Sequence, residues 1–181
     1  MLLKRKQFTL SIMESSAYSL PNLTKLSHYG FASLYQNNIT GEKSLHATVA
    51  LQQGNIFASF ESSETLSTPN KYTVQVSDGV HIILHPEYLQ YINHSCEPNV
   101  FFDTTKMQLS CLKDIAVGDE LTFFYPSTEF AMASPFNCFC GANNCLHKIQ
   151  GASFLPIEII HHYKFTDFIM QKLNIPHLQK V

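Results

Sequence analysis

Three cysteines within the octapeptide CFCGANNC, at positions 138, 140 and 145, constrain this chain more than any other feature. The C-x-C-x4-C spacing is too tight for independent disulfide bridges, and five cysteines in all is an odd number for a disulfide framework. Thiolates so spaced can converge on one soft cation, and three of them leave a tetrahedral zinc one ligand short. The fourth is to be sought at Cys96, Cys111, or a histidine such as His94 or His147. Cys111 lies in a run that reads as a strand, where a free thiol usually behaves as a small buried hydrophobe, so Cys96 in its polar loop is the better candidate. A zinc held by four sulfurs has no open position for water, so its role would be structural: it would pin the region after Phe136 onto the loop carrying Cys96.

The rest of the chain suits one domain. Its 181 residues, 45% of them hydrophobic, can bury an ordinary core. No run approaches the roughly 20 apolar residues that span a bilayer. The opening MLLKRKQFTLSIMESS breaks its hydrophobic stretch with Thr9, Ser11 and Glu14. The expectation is a soluble, intracellular monomer, nuclear or cytoplasmic, with no membrane partner. A net charge of −2 with 12 scattered basic residues gives no electrostatic footprint of direct nucleic-acid binding.

Strand signals dominate the middle of the chain. YTVQVSDGVHIIL, residues 72–84, sets two β-rich runs around Asp78-Gly79, the composition of a hairpin turn. The pattern returns in NVFFDTTKMQLSCL, where residues 99–102 and 107–112 flank a polar turn. IAVGDELTFFYP reads as a turn at Gly118-Asp119 feeding a strand over residues 121–125, ended by Pro126. Only the tail changes character. After Pro156, apolar positions Ile157, Ile160, Phe168 and Leu173 fall at roughly helical spacing and are expected to cover the core. Thr166 is placed to cap a second, shorter helix, and the pair His161-His162 is read as solvated.

The stretch YINHSCEPNV, residues 91–100, crowds reactive side chains beside a strand. A Cys-His nucleophile pair is disfavoured, because His94 and Cys96 would point the same way only on an extended strand. Taken in order, however, YINHSCEPN, GDELTFFY and CFCGANNC resemble the SET-domain family of protein lysine methyltransferases with its zinc-binding post-SET segment. A weaker fourth piece, SLHATVALQQGNIFASF (residues 44–60), is similar to the family's amino-terminal strands.

This resemblance implies a mainly β fold, a SET-type β-clip of small sheets, in which the NHSCEPN and ELTFFY segments cross as a pseudoknot, followed by a C-terminal helical tail. It implies an unassigned extension over residues 1–41, a SET domain over 42–128, a post-SET zinc segment over 129–151 and the tail over 152–181. The implied activity is methyl transfer from S-adenosylmethionine to the side-chain amine of a lysine in a protein substrate, with histones among the candidates. By the family pattern Tyr125 is the catalytic tyrosine and Phe123 controls how many methyl groups are added. Ser44, Leu45, Asn93, His94 and Phe139 would bind the cofactor, and Cys96, Cys138, Cys140 and Cys145 the zinc.

The chemistry is consistent with those residue types. A lysine of pKa about 10.4 must lose a proton before it attacks a methyl group, and an apolar aromatic channel such as Phe123 to Tyr125 disfavours the charged amine. Three positions depart from the family pattern. Glu42-Lys43-Ser44 stands where the family has Gly-x-Gly, Phe60 where many members have a second tyrosine, and Phe124 where an acidic residue is usual. The first two of these departures, Glu42-Lys43-Ser44 and Phe60, motivate a competing expectation, a non-catalytic SET-like module that binds a protein partner.

Overall fold

The computed structural model describes residues 22–174. The hairpin expected around Asp78-Gly79 is formed by β6 (Thr73–Ser77) and β7 (Val80–His85), and Gly79 takes the positive φ of 62° that the turn demands. β5 (Glu61–Leu66) pairs on the other side of β7, so this sheet has the order β5-β7-β6 and leaves β6 at an edge. The second expected hairpin is β9 (Val100–Asp103) with β10 (Gln108–Cys111), antiparallel. β10 alternates half-buried and buried residues, whereas Val100, Phe101 and Phe102 are all buried, since β9 is covered on both faces.

Residues 22–41, without an assignment from sequence, supply β1 (Leu23–His28) and β2 (Ala32–Asn37). Together with β3 (Lys43–Ala47) they form a sheet of order β1-β2-β3. The apolar positions of these two sheets and of β4 (Ile56–Ser59) converge on one core that includes Leu45, Leu89, Phe102, Leu109 and Leu121.

The third sheet, of order β4-β10-β9-β11-β8, builds the site. Its last two strands, β11 (Thr122–Phe123) and β8 (Asn93–His94), are parallel, and β11 lies between β8 and β9. Residues 95–99 therefore loop around β11. Ser95 N–H donates to Phe123 O at 3.1 Å and Asn99 N–H to Thr122 O at 3.1 Å, while Asn99 Oδ1 accepts from Thr122 N–H at 2.8 Å. This is the crossing of motifs that the resemblance implies. The strand expected over residues 121–125 is shorter than the sequence suggests. Tyr125–Ser127 already form a 3-10 turn, which Pro126 favours with its fixed φ and missing N–H.

The tail holds two short helices, α1 (Ile157–Ile160) and α2 (Asp167–Lys172). Ile160, Phe165 and Ile169 bury against Phe124 and Ala152, with Phe168 and Leu173 packed beside them. Ile157 corrects the expectation that it covers the core, because it starts a single-turn helix and is 48% exposed. Thr166 occupies the N-cap position of α2 without a side-chain cap bond. His161 and His162 are both exposed, as expected.

Candidate functional site

Asn93 and His94 end the short β8 beside β11, which brings them to Phe123 and Tyr125. Asn93 Nδ2 donates to Lys43 O at 3.0 Å and to Glu120 Oε1 at 2.8 Å, tying the start of β3 to the centre of the site. His94 accepts the backbone N–H of Tyr125 on Nδ1 at 3.3 Å, and its Nε2 lies 3.3 Å from Cys96 Sγ. Burial lowers the imidazole pKa to about 4, so the ring is neutral. With Nδ1 accepting, the ring proton sits on Nε2 and points at the sulfur. The sequence argument against a meeting of His94 and Cys96 is thus overturned: the chain turns sharply after β8. Their meeting does not make a nucleophile pair, because that thiol also belongs to a four-cysteine cluster.

In that cluster the sulfurs of Cys96, Cys138, Cys140 and Cys145 lie within 4.8 Å of one another. Tetrahedral zinc with Zn–S of about 2.3 Å requires sulfurs roughly 3.8 Å apart, and Cys96 and Cys138 are at 4.0 Å. Two backbone amides already point at sulfur, Cys96 N–H at Cys140 Sγ and Leu146 N–H at Cys96 Sγ, both at 3.4 Å. Such donors stabilise thiolates and support metal binding. Of the other fourth ligands considered, Cys111 is buried in the main core and His94 serves Tyr125. The short pair β12 (Phe136–Asn137) and β13 (Lys148–Ile149) brackets the cluster.

A cavity of about 870 Å³ opens between these elements, its walls including Asn93, His94, Phe123 and Tyr125. The Tyr125 ring packs against His94 at 5.2 Å, Phe123 at 4.6 Å and Phe136 at 6.0 Å between centroids. Burial, then the nearby Glu120 carboxylate, raises the Tyr125 pKa above its ordinary value, so the hydroxyl keeps its proton at neutral pH. Phe139 lines the rim and is 90% exposed.

Ser44 and Leu45 do not line the cavity. Leu45 is fully buried in the core, and Ser44 Oγ lies 3.0 Å from His46 Nε2. Glu42 and Lys43 form the wall there instead. Gly41, one residue earlier, takes the positive φ of 75°, so the glycine turn is displaced rather than lost. Phe60 is buried against Phe102 behind the cavity. Glu120, Glu129 and Tyr163 were not singled out from sequence. Their roles depend on partners distant in the chain.

The model of the family described as SET domain matches residues 13–126. The chain belongs to the SET-domain family. This SET domain is 39% identical over 122 residues to "Methyltransferase flvH" of Aspergillus flavus, a match covering 66% of this chain and 68% of the relative. It is 38% identical over 69 residues to the H3 lysine-36 specific histone-lysine N-methyltransferase of Schizosaccharomyces pombe, covering 34% of this chain but only 8% of that protein. Among solved structures it resembles KRYPTONITE in complex with mCHH DNA, an H3(1-15) peptide and SAH, with a TM-score of 0.48, 20% identity, and coverage of 64% of this chain and 28% of that one. The SET domain thus has methyltransferases as its relatives, and its small-sheet β architecture is the one expected from sequence.

Proposed function

We propose that this SET domain transfers a methyl group from S-adenosylmethionine to the side-chain amine of a protein lysine. The reading rests on one observation above all: the Tyr125 amide on His94 Nδ1 holds the tyrosine and the Asn93-His94 pair on one cavity. When bound, S-adenosylmethionine supplies an electrophilic methyl group on a sulfonium. Asn93, His94 and the exposed Phe139 would hold it, and the cavity volume of about 870 Å³ accommodates a nucleoside with a lysyl chain.

Tyr125 would act as the catalytic residue. Its protonated hydroxyl orients the amine lone pair toward the methyl group, while the rings of Phe123 and Phe136 disfavour the ammonium form. The four cysteines would hold a structural zinc, which would fix residues 136–149 over the cavity. Relatives named histone-lysine N-methyltransferases support a histone among the substrate candidates and a nuclear location.

A second reading, a non-catalytic module that binds a protein partner, is favoured by the Glu42 side chain at the wall where the family pattern has glycine. Calorimetric titration of zinc-loaded protein with S-adenosylmethionine separates the two, alongside a methyl-transfer assay of the wild type and Tyr125→Phe. Micromolar or tighter binding with activity lost in the variant supports the enzyme. Correctly folded, zinc-loaded protein that does not bind the cofactor leaves the module.

A further inference from the structure

Glu129 is a buried acid on the cavity wall with no cation of its own. It follows Tyr125 by one turn: the Tyr125 carbonyl accepts the N–H groups of Thr128 and Glu129, both at 3.1 Å. Its own carbonyl accepts Ala152 N–H at 2.8 Å, so the backbone on both sides is fixed. The residue is only 8% exposed and lines the cavity, as do Thr73, Val74 and Phe123.

One oxygen is partnered. Oε1 accepts the Gln75 backbone N–H at 2.8 Å, and the Gln75 side chain in turn accepts Phe130 N–H at 3.0 Å. Among the described residues nothing donates to Oε2, and no basic nitrogen lies within 4.0 Å of the carboxylate. The neighbouring cations are engaged elsewhere. Lys172 of α2 pairs with Asp78 at 2.8 Å and lies over the Phe130 ring, and Lys71 before β6 lies over Tyr72. The other ionisable groups on the cavity wall are Glu42, Lys43, Lys71, Tyr72, Tyr91, His94, Glu120, Tyr125, Cys138 and Cys140. Burial pushes the Glu129 carboxyl up to about 8, since ionising it here costs desolvation that one amide does not offset.

A carboxyl that is buried, half-satisfied and open on one side to a cavity is a ready partner for a cation, which would stabilise its ionised form. We propose that Glu129 is a specificity-determining residue that receives a cationic group of the substrate, a guanidinium or ammonium adjoining the target lysine. This rests on the lysine-methyltransferase reading for the identity of the substrate, though not for the capture of a cation. Docking of the cation would ionise Glu129 and release its proton to solvent, while Oε1 keeps the Gln75 amide.

Two experiments on the zinc-loaded protein test this. In the first, the Glu129 carboxyl carbon is titrated by NMR in glutamate-labelled protein, with and without ethylguanidinium as the probe. Glu129→Gln, which retains the acceptor for Gln75, assigns the signal. A saturable fall of the midpoint by one pH unit or more, a tenfold change in proton affinity, is expected. A midpoint that ignores the probe, or a response only at Glu42 or Glu120, overturns the proposal.

In the second, paired lysine peptides with arginine or glutamine beside the lysine are compared for methyl transfer. The wild type is expected to favour the arginine peptide at least tenfold in kcat/KM, mainly through KM, and Glu129→Gln to reduce that ratio toward one. Equal use of both peptides by the wild type overturns the specificity role. If neither peptide is methylated, the lysine reading fails while the NMR titration still decides whether Glu129 takes a cation.

Discussion

The ring of Tyr163 stacks on that of Phe124 with centroids 3.7 Å apart and planes 7° from parallel. Its hydroxyl donates to the Cys96 carbonyl at 2.8 Å and accepts from Asn144 Nδ2 at 3.2 Å. The tail is thereby joined to the loop carrying Cys96 and to the neighbour of Tyr125. It also gives a physical reason for Phe124, since an acidic side chain there would face an aromatic plane. Tyr163→Phe keeps the stack and loses the hydroxyl bonds, so it should cost about 1 kcal/mol. Tyr163→Ala loses the aromatic pair as well, a further ~1 kcal/mol or more. Urea unfolding should rank wild type above Tyr163→Phe above Tyr163→Ala. An unchanged midpoint for Tyr163→Phe would mean that water replaces those bonds without loss.

Glu129 should make stability fall as pH rises. Its carboxyl titrates near 4.5 when exposed and about 8 when folded, so between those values the native state holds a proton that the unfolded chain has lost. The penalty is absent below the lower value, grows through the window, and is complete above about pH 8. The slope it contributes is at most about 1.4 kcal/mol per pH unit. Unfolding free energies of the wild type and Glu129→Gln, measured from pH 5 to 9, should converge at the acid end and separate in favour of the variant at the alkaline end. Parallel curves would show that the carboxyl is hydrated when folded.

Metal removal should loosen one region and spare another. The Cys cluster and Ile149 form a small core of their own, with Phe136 and Met132 packed on it, while the main core around Phe102 and Leu109 includes none of the four clustered cysteines. Chelation, or Cys138→Ser, should raise hydrogen exchange across residues 136–149 and at Cys96 while leaving β6 and β7 protected. Global unfolding on chelation would mean that zinc supports the whole domain.

Particular residues show why some of this architecture was legible and some was not. The hairpins around Asp78-Gly79 and residues 103–107 announce themselves because short-range alternation and turn residues determine them. The cysteine cluster is equally local in three of its four members. β1 left no such trace, since most of Leu23–His28 is exposed and carries no buried period. Pairing across the chain is likewise silent: Glu129 matters because Gln75, 54 positions away, gives it an amide. The family motifs singled out Tyr125 and Asn93, which the fold brings to one cavity. They could not show that Leu45, beside the departed glycines, turns into the core.

Gly151 tests whether the post-SET segment needs close backbone contact with the loop after Tyr125. Its φ is 118°, and a Cβ there would lie 2.7 Å from Phe130 O and 2.8 Å from Ala131 Cα, both backbone atoms. Ala152 N–H and Ser153 N–H bond to the carbonyls of Glu129 and Phe130, so neither strand can retreat freely. Gly151→Ala should cost about 3 kcal/mol. Thermal unfolding within a degree or two of wild type would show that the two segments separate easily.

Phe123 should set the number of methyl groups. Its ring lies between Phe102 at 4.4 Å and Tyr125 at 4.6 Å, and it offers the cavity no hydrogen-bonding group. A methylated amine must rotate to present its lone pair again, and the space for that rotation is free when no ordered water is held there. Phe123→Tyr adds a hydroxyl that can anchor such a water. On a methylated protein or peptide, mass spectrometry should find the wild type progressing beyond one methyl group and the variant stopping earlier, at a comparable rate of first transfer. A wild type that adds a single methyl would place the limit elsewhere in the cavity, in which case the Phe123 variant should leave the product distribution unchanged.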